Sequence, residues 1–275
     1  MLDRELVEAV KLAREAGAIL LDVYGTDFGI RYKDVNDPVT EADTRVNSFL
    51  VGRIREMFPS DNIIAEETAT PSSRATSNRC WYIDPLDGTK EFIAKNGEFA
   101  VMIGLAVDGE ARLGVVFQPT EDKLARGVVG DGAFYETGDK TYLLKVSDIA
   151  DPKQMRLIVS RSHRSEHTAK LVERLGIQTE IPRGSVGLKV GALGERTADL
   201  YVHLSDKTSA WDACAPDAIL RAAGGIFVDL AGHSIEYVGT EVKNKRGILA
   251  CNRKGYEAVA KVALEIAKEA GLVTE

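Results

Sequence analysis

The sequence is poor in cysteine. Only Cys80, Cys214 and Cys251 occur in 275 residues, with no Cys-x-x-Cys pair and no histidine-linked spacing. They are therefore read as reduced core residues, and the chain as a cytoplasmic protein. Long apolar runs are missing too. The longest, residues 99–107, is too short to span a bilayer. The opening Met1-Leu2-Asp3-Arg4-Glu5 lacks a signal-peptide pattern. Positive charge is in deficit: 35 Lys and Arg stand against 42 Asp and Glu, a net charge of −7. That argues against a nucleic-acid polymer or an anionic membrane as partner. A small phosphorylated substrate stays open, because a cation can mediate that contact. The sequence has no internal repeat and no clear linker. With 44% hydrophobic and 28% charged residues, disorder and collagen-like structure are excluded. A chain of this length buries about 70–75% of its unfolded surface and needs no disulfide or metal to fold.

Apolar side chains at Leu6, Val10, Ala13, Gly17, Leu20 and Tyr24 repeat with helical period, with Asp3 as the expected N-cap. Residues 25–37 read as a polar loop. Thr40 can cap a second helix that carries Val46, Leu50, Ile54 and Met57 on one face and stops before Pro59. A short buried strand, 62–65, leads to Glu66-Glu67, and residues 68–79 read as a flexible Ser/Thr-rich loop. The strand at 80–84 follows. Asp108-Gly109 and Asp131-Gly132 each mark a hairpin, which together fit an antiparallel sheet. After about residue 150 strand and helix alternate: strands at 156–160, 177–181, 198–204 and 226–229, helices at 166–175, 187–193, 214–223 and 254–270. The expectation is two lobes sharing an interface, 1–150 of α+β type and 151–275 of α/β type.

The chemistry concentrates in Asp84-Pro85-Leu86-Asp87-Gly88-Thr89-Lys90-Glu91-Phe92. An apolar strand delivers Asp84, and a turn through Pro85 lets Asp84 and Asp87 converge, with the Leu86 carbonyl able to face the same point. Carboxylate and carbonyl oxygens form a hard site suited to Mg²⁺ or Mn²⁺ rather than Zn²⁺. Gly88-Thr89 can open a helix whose free N–H groups attract phosphate. The spacing also resembles the Asp-x-Asp-Gly-Thr of aspartyl-phosphate phosphatases of the haloacid dehalogenase type. The extra residue disfavours a nucleophile–acid pair, because acids at i and i+3 of a regular strand point to opposite faces. Glu66 at a strand end and Asp212, within Ala210-Trp211-Asp212-Ala213-Cys214, are further acids in reach of such a site.

In order, Asp37-Pro38-Val39-Thr40-Glu41-Ala42-Asp43, Ala65-Glu66-Glu67, Asp84-Pro85-Leu86-Asp87-Gly88-Thr89 and Trp211-Asp212-Ala213 resemble the signature blocks of the inositol monophosphatase-like superfamily of Mg²⁺-dependent, lithium-sensitive phosphatases. The resemblance spans roughly residues 5–265. It implies a layered αβαβα fold and two or three metal ions held by Glu66, Asp84, the Leu86 carbonyl, Asp87 and Asp212. It implies that Asp43 and Thr89 activate the attacking water, with no covalent enzyme intermediate. It also implies a monomer or homodimer.

Residues 87–93 with Asn96-Gly97-Glu98-Phe99 resemble the 3′(2′),5′-bisphosphate nucleotidase branch. Ser160-Arg161-Ser162-His163 resembles its nucleotide-contacting segment, and Gly184-Ser185-Val186-Gly187-Leu188-Lys189 its second phosphate site. The implied substrate contacts are Lys33, Gly88, Thr89, Ser160, Arg161, His163, Ser185 and Lys189. Residues 204–209 and Pro216 depart from the branch pattern. The expected reaction is release of the 3′-phosphate of adenosine 3′,5′-bisphosphate or its sulfated form. The alternatives are the same chemistry on inositol 1-phosphate or fructose 1,6-bisphosphate, or a sensor that binds phosphate ligands without turnover.

Overall fold

A computed structural model describes residues 2–34, 37–69, 77–162, 165–239 and 241–274, with only the backbone of Lys33, Asp34 and Asp37. His163, the side chain of Lys33 and most of the expected loop at 68–79 therefore lie outside the described residues. Helix α1 (Asp3–Tyr24) is followed by the hairpin β1 (Ile30–Asp34) and β2 (Asp37–Thr40), then by α2 (Glu41–Met57), β3 (Asn62–Ala65), β4 (Arg79–Asp87) and the short α3 (Thr89–Ile93). Two hairpins come next, β5 (Ala100–Val107) with β6 (Glu110–Gln118), and β7 (Lys123–Val128) with β8 (Gly132–Thr137), followed by β9 (Lys140–Leu144). The rest is β10 (Arg156–Ser160), α4 (Glu166–Leu175), β11 (Thr179–Arg183), α5 (Val186–Gly194), β12 (Leu200–His203), α6 (Ala210–Ala222), β13 (Ile226–Val228), β14 (Ile248–Cys251) and α7 (Tyr256–Glu269).

β3 to β9 form a seven-stranded sheet in sequence order, antiparallel except for the β3–β4 pair. A mixed five-stranded sheet has the order β11-β10-β12-β14-β13. The period-two alternation of side chains sorts each strand between two cores. On β4, Trp81 and Ile83 pack with α1 and α2, whereas Cys80 and Tyr82 pack with α5 and α6. On β10, Ile158 joins the α5–α6 core, whereas Leu157 and Val159 face α4 and α7. The result is five layers, αβαβα, with α5 and α6 between the sheets.

Helix α6 lies close on the seven-stranded sheet because three glycines stand side by side across it. Gly104 pairs with Gly114, and Gly114 with Gly127. A Cβ at Gly104 would come within 2.7 Å of the Ala215 backbone nitrogen, and one at Gly114 within 2.1 Å of the Ala215 carbonyl oxygen. This glycine track seats the first turns of α6, and hence Asp212, against the strands that carry the other acids.

Several local expectations need correction. Residues 30–34 and 37–40 form a hairpin rather than a loop. The expected strand at 80–84 runs on to Asp87. Helix α6 begins at Ala210, four residues before the expected start, so Asp212 lies inside its first turn. Helix α1 has Leu2 rather than Asp3 at its N-cap. No described helix is long and apolar enough to cross a membrane.

Candidate active site

The acids at 84 and 87 face one another because β4 is not regular there. Asp84 pairs with Met102 and Asp87 with Ala100, so three steps on β4 match two on β5. That is a β-bulge, and the extra residue resets the alternation that would otherwise send i and i+3 to opposite faces. Asp84, Asp87 and Asp212 each bring a carboxylate oxygen within 4.8 Å of the others. Asp84 is 1% exposed and Asp87 7%.

Burial pushes the Asp84 carboxyl well above its ordinary range, and the charges of Glu66, Asp87 and Asp212 push the same way. Asp212 is raised to about 8 by burial and by Glu66 and Asp87. Negative charge packed this tightly away from water calls for a cation. The donors are all oxygen, which fits a hard divalent ion. Glu66 follows β3, its N–H donating to the Ile83 carbonyl at 3.1 Å. It stands outside the close triple, yet its charge acts on both Asp84 and Asp212.

Each acid is held by hydrogen bonds from its own surroundings. Asp84 Oδ1 accepts the Leu86 N–H at 3.0 Å. Asp87 Oδ2 accepts from the Ser185 hydroxyl and from the Gly187 N–H. Asp212 Oδ2 accepts the Ser209 N–H at 2.6 Å, in a capping box at the start of α6. Such partners hold an acid in place while its other oxygen stays available.

Beside this cluster, Thr89 Oγ1 lies 3.1 Å from Asp43 Oδ1 and 3.2 Å from the Leu86 carbonyl oxygen. Its single proton can serve one of these acceptors at a time. Asp43 Oδ2 is taken by the Thr40 N–H at 2.7 Å and the Thr40 hydroxyl at 2.6 Å, the capping box of α2. Burial raises the Asp43 carboxyl, and the bonds from Thr40 and Thr89 offset part of the rise. Gly88 opens α3 with φ 99°, a left-handed conformation open to glycine at little cost. A Cβ there would meet the Glu98 carbonyl at 3.0 Å.

The residues expected to hold the rest of a substrate are placed less uniformly. Ser185 N-caps α5, and its Oγ both accepts the Leu188 N–H and donates to Asp87, so it orients an acid of the cluster. Lys189 is only 4% exposed, with its ammonium 5.3 Å from the centre of the Tyr201 ring. Burial lowers its pKa, while Asp87, Glu91, Asp212 and Glu98 oppose the change. It is therefore an internal cation beside the site and not a solvated surface charge.

Arg161 forms a fork with Glu98 at 2.8 and 2.7 Å. Ser160 ends β10, half-buried and in register with Arg183. The sequence reading has Thr40 as the cap of α2 but passed over its hold on Asp43, the like hold of Ser209 on Asp212, and the carboxylates of Glu91 and Glu98. The form Ser/Thr-x-x-acid at 40–43 and 209–212 was the signal for the first two.

The profile of the Inositol monophosphatase family matches residues 1–268. A protein named 3′(2′),5′-bisphosphate nucleotidase CysQ from Escherichia coli K12 is 33% identical over 239 residues, covering 86% of this chain and 95% of its own. Inositol monophosphatase 2 of Rattus norvegicus is 31% identical over 249 residues, covering 85% and 82%. Among solved structures, the Thermotoga maritima IMPase superposes with a TM-score of 0.82 at 27% identity, covering 97% of this chain and 99% of that one. The chain belongs to the inositol monophosphatase family, and is thereby a phosphatase.

Proposed function

We propose that the chain hydrolyses phosphate monoesters by direct attack of water, and that its substrate is adenosine 3′,5′-bisphosphate or the sulfated form, from which the 3′-phosphate is released. The observation that carries the reading is the Thr89–Asp43 pair, 3.1 Å apart, beside three aspartates whose oxygens converge. Thr89 donates to Asp43 and can accept from a water in turn, so a proton leaving that water has a path to a buried carboxylate. Glu66, Asp84, the Leu86 carbonyl, Asp87 and Asp212 would hold Mg²⁺ or Mn²⁺. The bound ions would supply a lowered water pKa and charge neutralisation at the leaving oxygen. Gly88 and Thr89 would take the phosphate. Residues 1–150 then supply most of the acids, and 151–275 supply Asp212 and the α5 turn.

The nucleotide reading is supported by relatives named as bisphosphate nucleotidases at 31–33% identity. It is also supported by Lys189, a buried cation beside the site, since a second phosphate needs a second cationic anchor. Ser160, Arg161 and Ser185, with the undescribed His163 and side chain of Lys33, complete the proposed substrate contacts. The similarity to the rat inositol monophosphatase supports inositol 1-phosphate as the second reading.

The test is phosphate release with Mg²⁺ from adenosine 3′,5′-bisphosphate, inositol 1-phosphate and fructose 1,6-bisphosphate at equal concentration. A nucleotide preference of about 100-fold in kcat/KM, roughly 2.7 kcal/mol of discrimination, is expected. A preference for either of the others overturns the nucleotide assignment and leaves the hydrolysis standing. Millimolar lithium is expected to inhibit, and undiminished turnover in lithium counts against this mechanism.

A further inference from the structure

Asp87 depends on a turn that is not at rest by itself. Ser185 has φ 59° and ψ 132°, a conformation unfavourable for a non-glycine residue that persists only where its surroundings hold it. From that turn the Ser185 hydroxyl and the Gly187 N–H both reach Asp87 Oδ2. The residue just before the turn is itself gripped. Glu98 Oε2 accepts the Gly184 N–H at 2.7 Å, and the same carboxylate takes both arms of the Arg161 fork. Arg161 closes the other side by donating to the Pro182 carbonyl at 3.2 Å. Gly184 sits so tightly that a Cβ on it would come within 2.7 Å of the Glu98 carbonyl oxygen.

We infer that Glu98 is a positioning residue: with Arg161 it clamps the 182–184 segment, fixes the strained Ser185 turn, and through that turn orients Asp87 toward the cation. The inference deepens the proposed function and rests on its assignment of Asp87 as a metal ligand. It concerns two charged residues that touch neither the converging carboxylates nor the Thr89–Asp43 pair. Groups that hydrogen-bond a ligating side chain, as Ser185 bonds Asp87, are worth about 10–100-fold in metal affinity, and Glu98 acts through that bond.

The experiment titrates Mn²⁺ into the resting full-length protein, without substrate, and reads free Mn²⁺ by electron paramagnetic resonance. Glu98→Ala is expected to weaken binding about tenfold, Ser185→Ala by a similar factor, and the double variant little more than either. Multiplied losses, about 100-fold in the double variant, would mean that Glu98 does not act through Ser185 and would overturn the inference, as would unchanged binding in Glu98→Ala. Should Glu98→Ala fail to fold, Arg161→Met alters a half-exposed side chain and is read in the same titration. A loss of threefold or more supports the clamp, and wild-type binding refutes it. Wild-type turnover on the three-substrate panel is measured in parallel. Its absence would sink the proposed function while the titration still judged the clamp.

Discussion

The two helix starts that enter the site are built alike and end up with different chemistry. Thr40-Glu41-Ala42-Asp43 opens α2 and Ser209-Ala210-Trp211-Asp212 opens α6, each a capping box with aspartate at the third helical position. In both, one carboxylate oxygen is claimed by the N-cap N–H, at 2.7 Å for Asp43 and 2.6 Å for Asp212. In both, burial raises the carboxyl. Their other neighbours separate them. Asp43 Oδ1 meets the Thr89 hydroxyl, whereas a carboxylate oxygen of Asp212 lies within 4.8 Å of oxygens of Asp84 and Asp87. A capping box delivers a carboxylate held in place. What stands beside that carboxylate decides between proton acceptor and metal ligand.

The sharpest break of this comparison is to remove the charge from each acid without removing the cap. An asparagine oxygen can still accept the N-cap N–H. Asp212→Asn is expected to abolish turnover and Mn²⁺ binding together while the protein stays folded, and Asp87→Ala to do the same. Wild-type rates in either variant would refute the metal assignment. Asp43→Asn is expected to lower kcat by about 10²–10⁴-fold, the range of general acid–base catalysis, with Mn²⁺ binding nearly unchanged. Equal loss of binding in Asp43→Asn and Asp212→Asn would erase the distinction between the two boxes. Those quantities are read from a substrate-saturation curve and a metal titration on the same preparations.

Much of this was open to reading because ordered acidic blocks sit at strand and helix ends, and ends are marked by Pro, Gly and Thr. Thr40 as N-cap of α2, the strand at 62–65 and both Asp-Gly hairpins follow from local chemistry that tertiary structure did not overturn. The bulge between Asp84 and Asp87 was not legible, since nothing in Asp-Pro-Leu-Asp says which partner residues on β5 it will skip. The hairpin β1–β2 was missed because the alternation Ile30-Arg31-Tyr32-Lys33 is short, with Ile30 and Tyr32 exposed, and its partner opens with Asp37-Pro38. Strand β9 is largely exposed, and β14 is a four-residue buried run too short to show a period. Lys189 is expected from the sequence as an anchor for a second phosphate, but its burial was not legible there, because the acids around it, Asp87, Glu91, Asp212 and Glu98, are distant in sequence.

Ligation and capping also separate by their effect on stability. Mn²⁺ present at 100 times its dissociation constant is expected to stabilise the wild-type fold by about 2.7 kcal/mol and raise Tm accordingly. Asp43→Asn should keep that rise, and Asp212→Asn should lose it. A smaller effect tests the cap alone: Thr40→Ala removes a hydroxyl that both caps α2 and donates to Asp43, and should cost about 1 kcal/mol in urea unfolding. No loss would mean that Thr40 does not hold the α2 start.

The smallest effect uses the second aspartate of α6, buried outside the site. Asp217 is 2% exposed, accepts the Tyr237 hydroxyl at 3.0 Å and has no hydrogen-bond partner for its other oxygen among the described residues. Burial raises its carboxyl to about 7, with Arg221 and Tyr237 opposing. Because the folded protein then holds this proton more tightly than the unfolded chain, Asp217 adds stability that is full below the ordinary aspartate range near 4 and is lost as pH rises through 7. Asp217→Asn keeps an oxygen for Tyr237 and carries no charge to bury, so its Tm should fall less than that of the wild type between pH 5 and 8. The comparison is made in chelator, so that no metal linkage enters. Parallel wild-type and Asp217→Asn curves would place the pH dependence elsewhere. A flattened curve would establish that burial is the main force raising an acid on this helix even outside the converging cluster, where Glu110 is the one carboxylate among the described residues that adds to it.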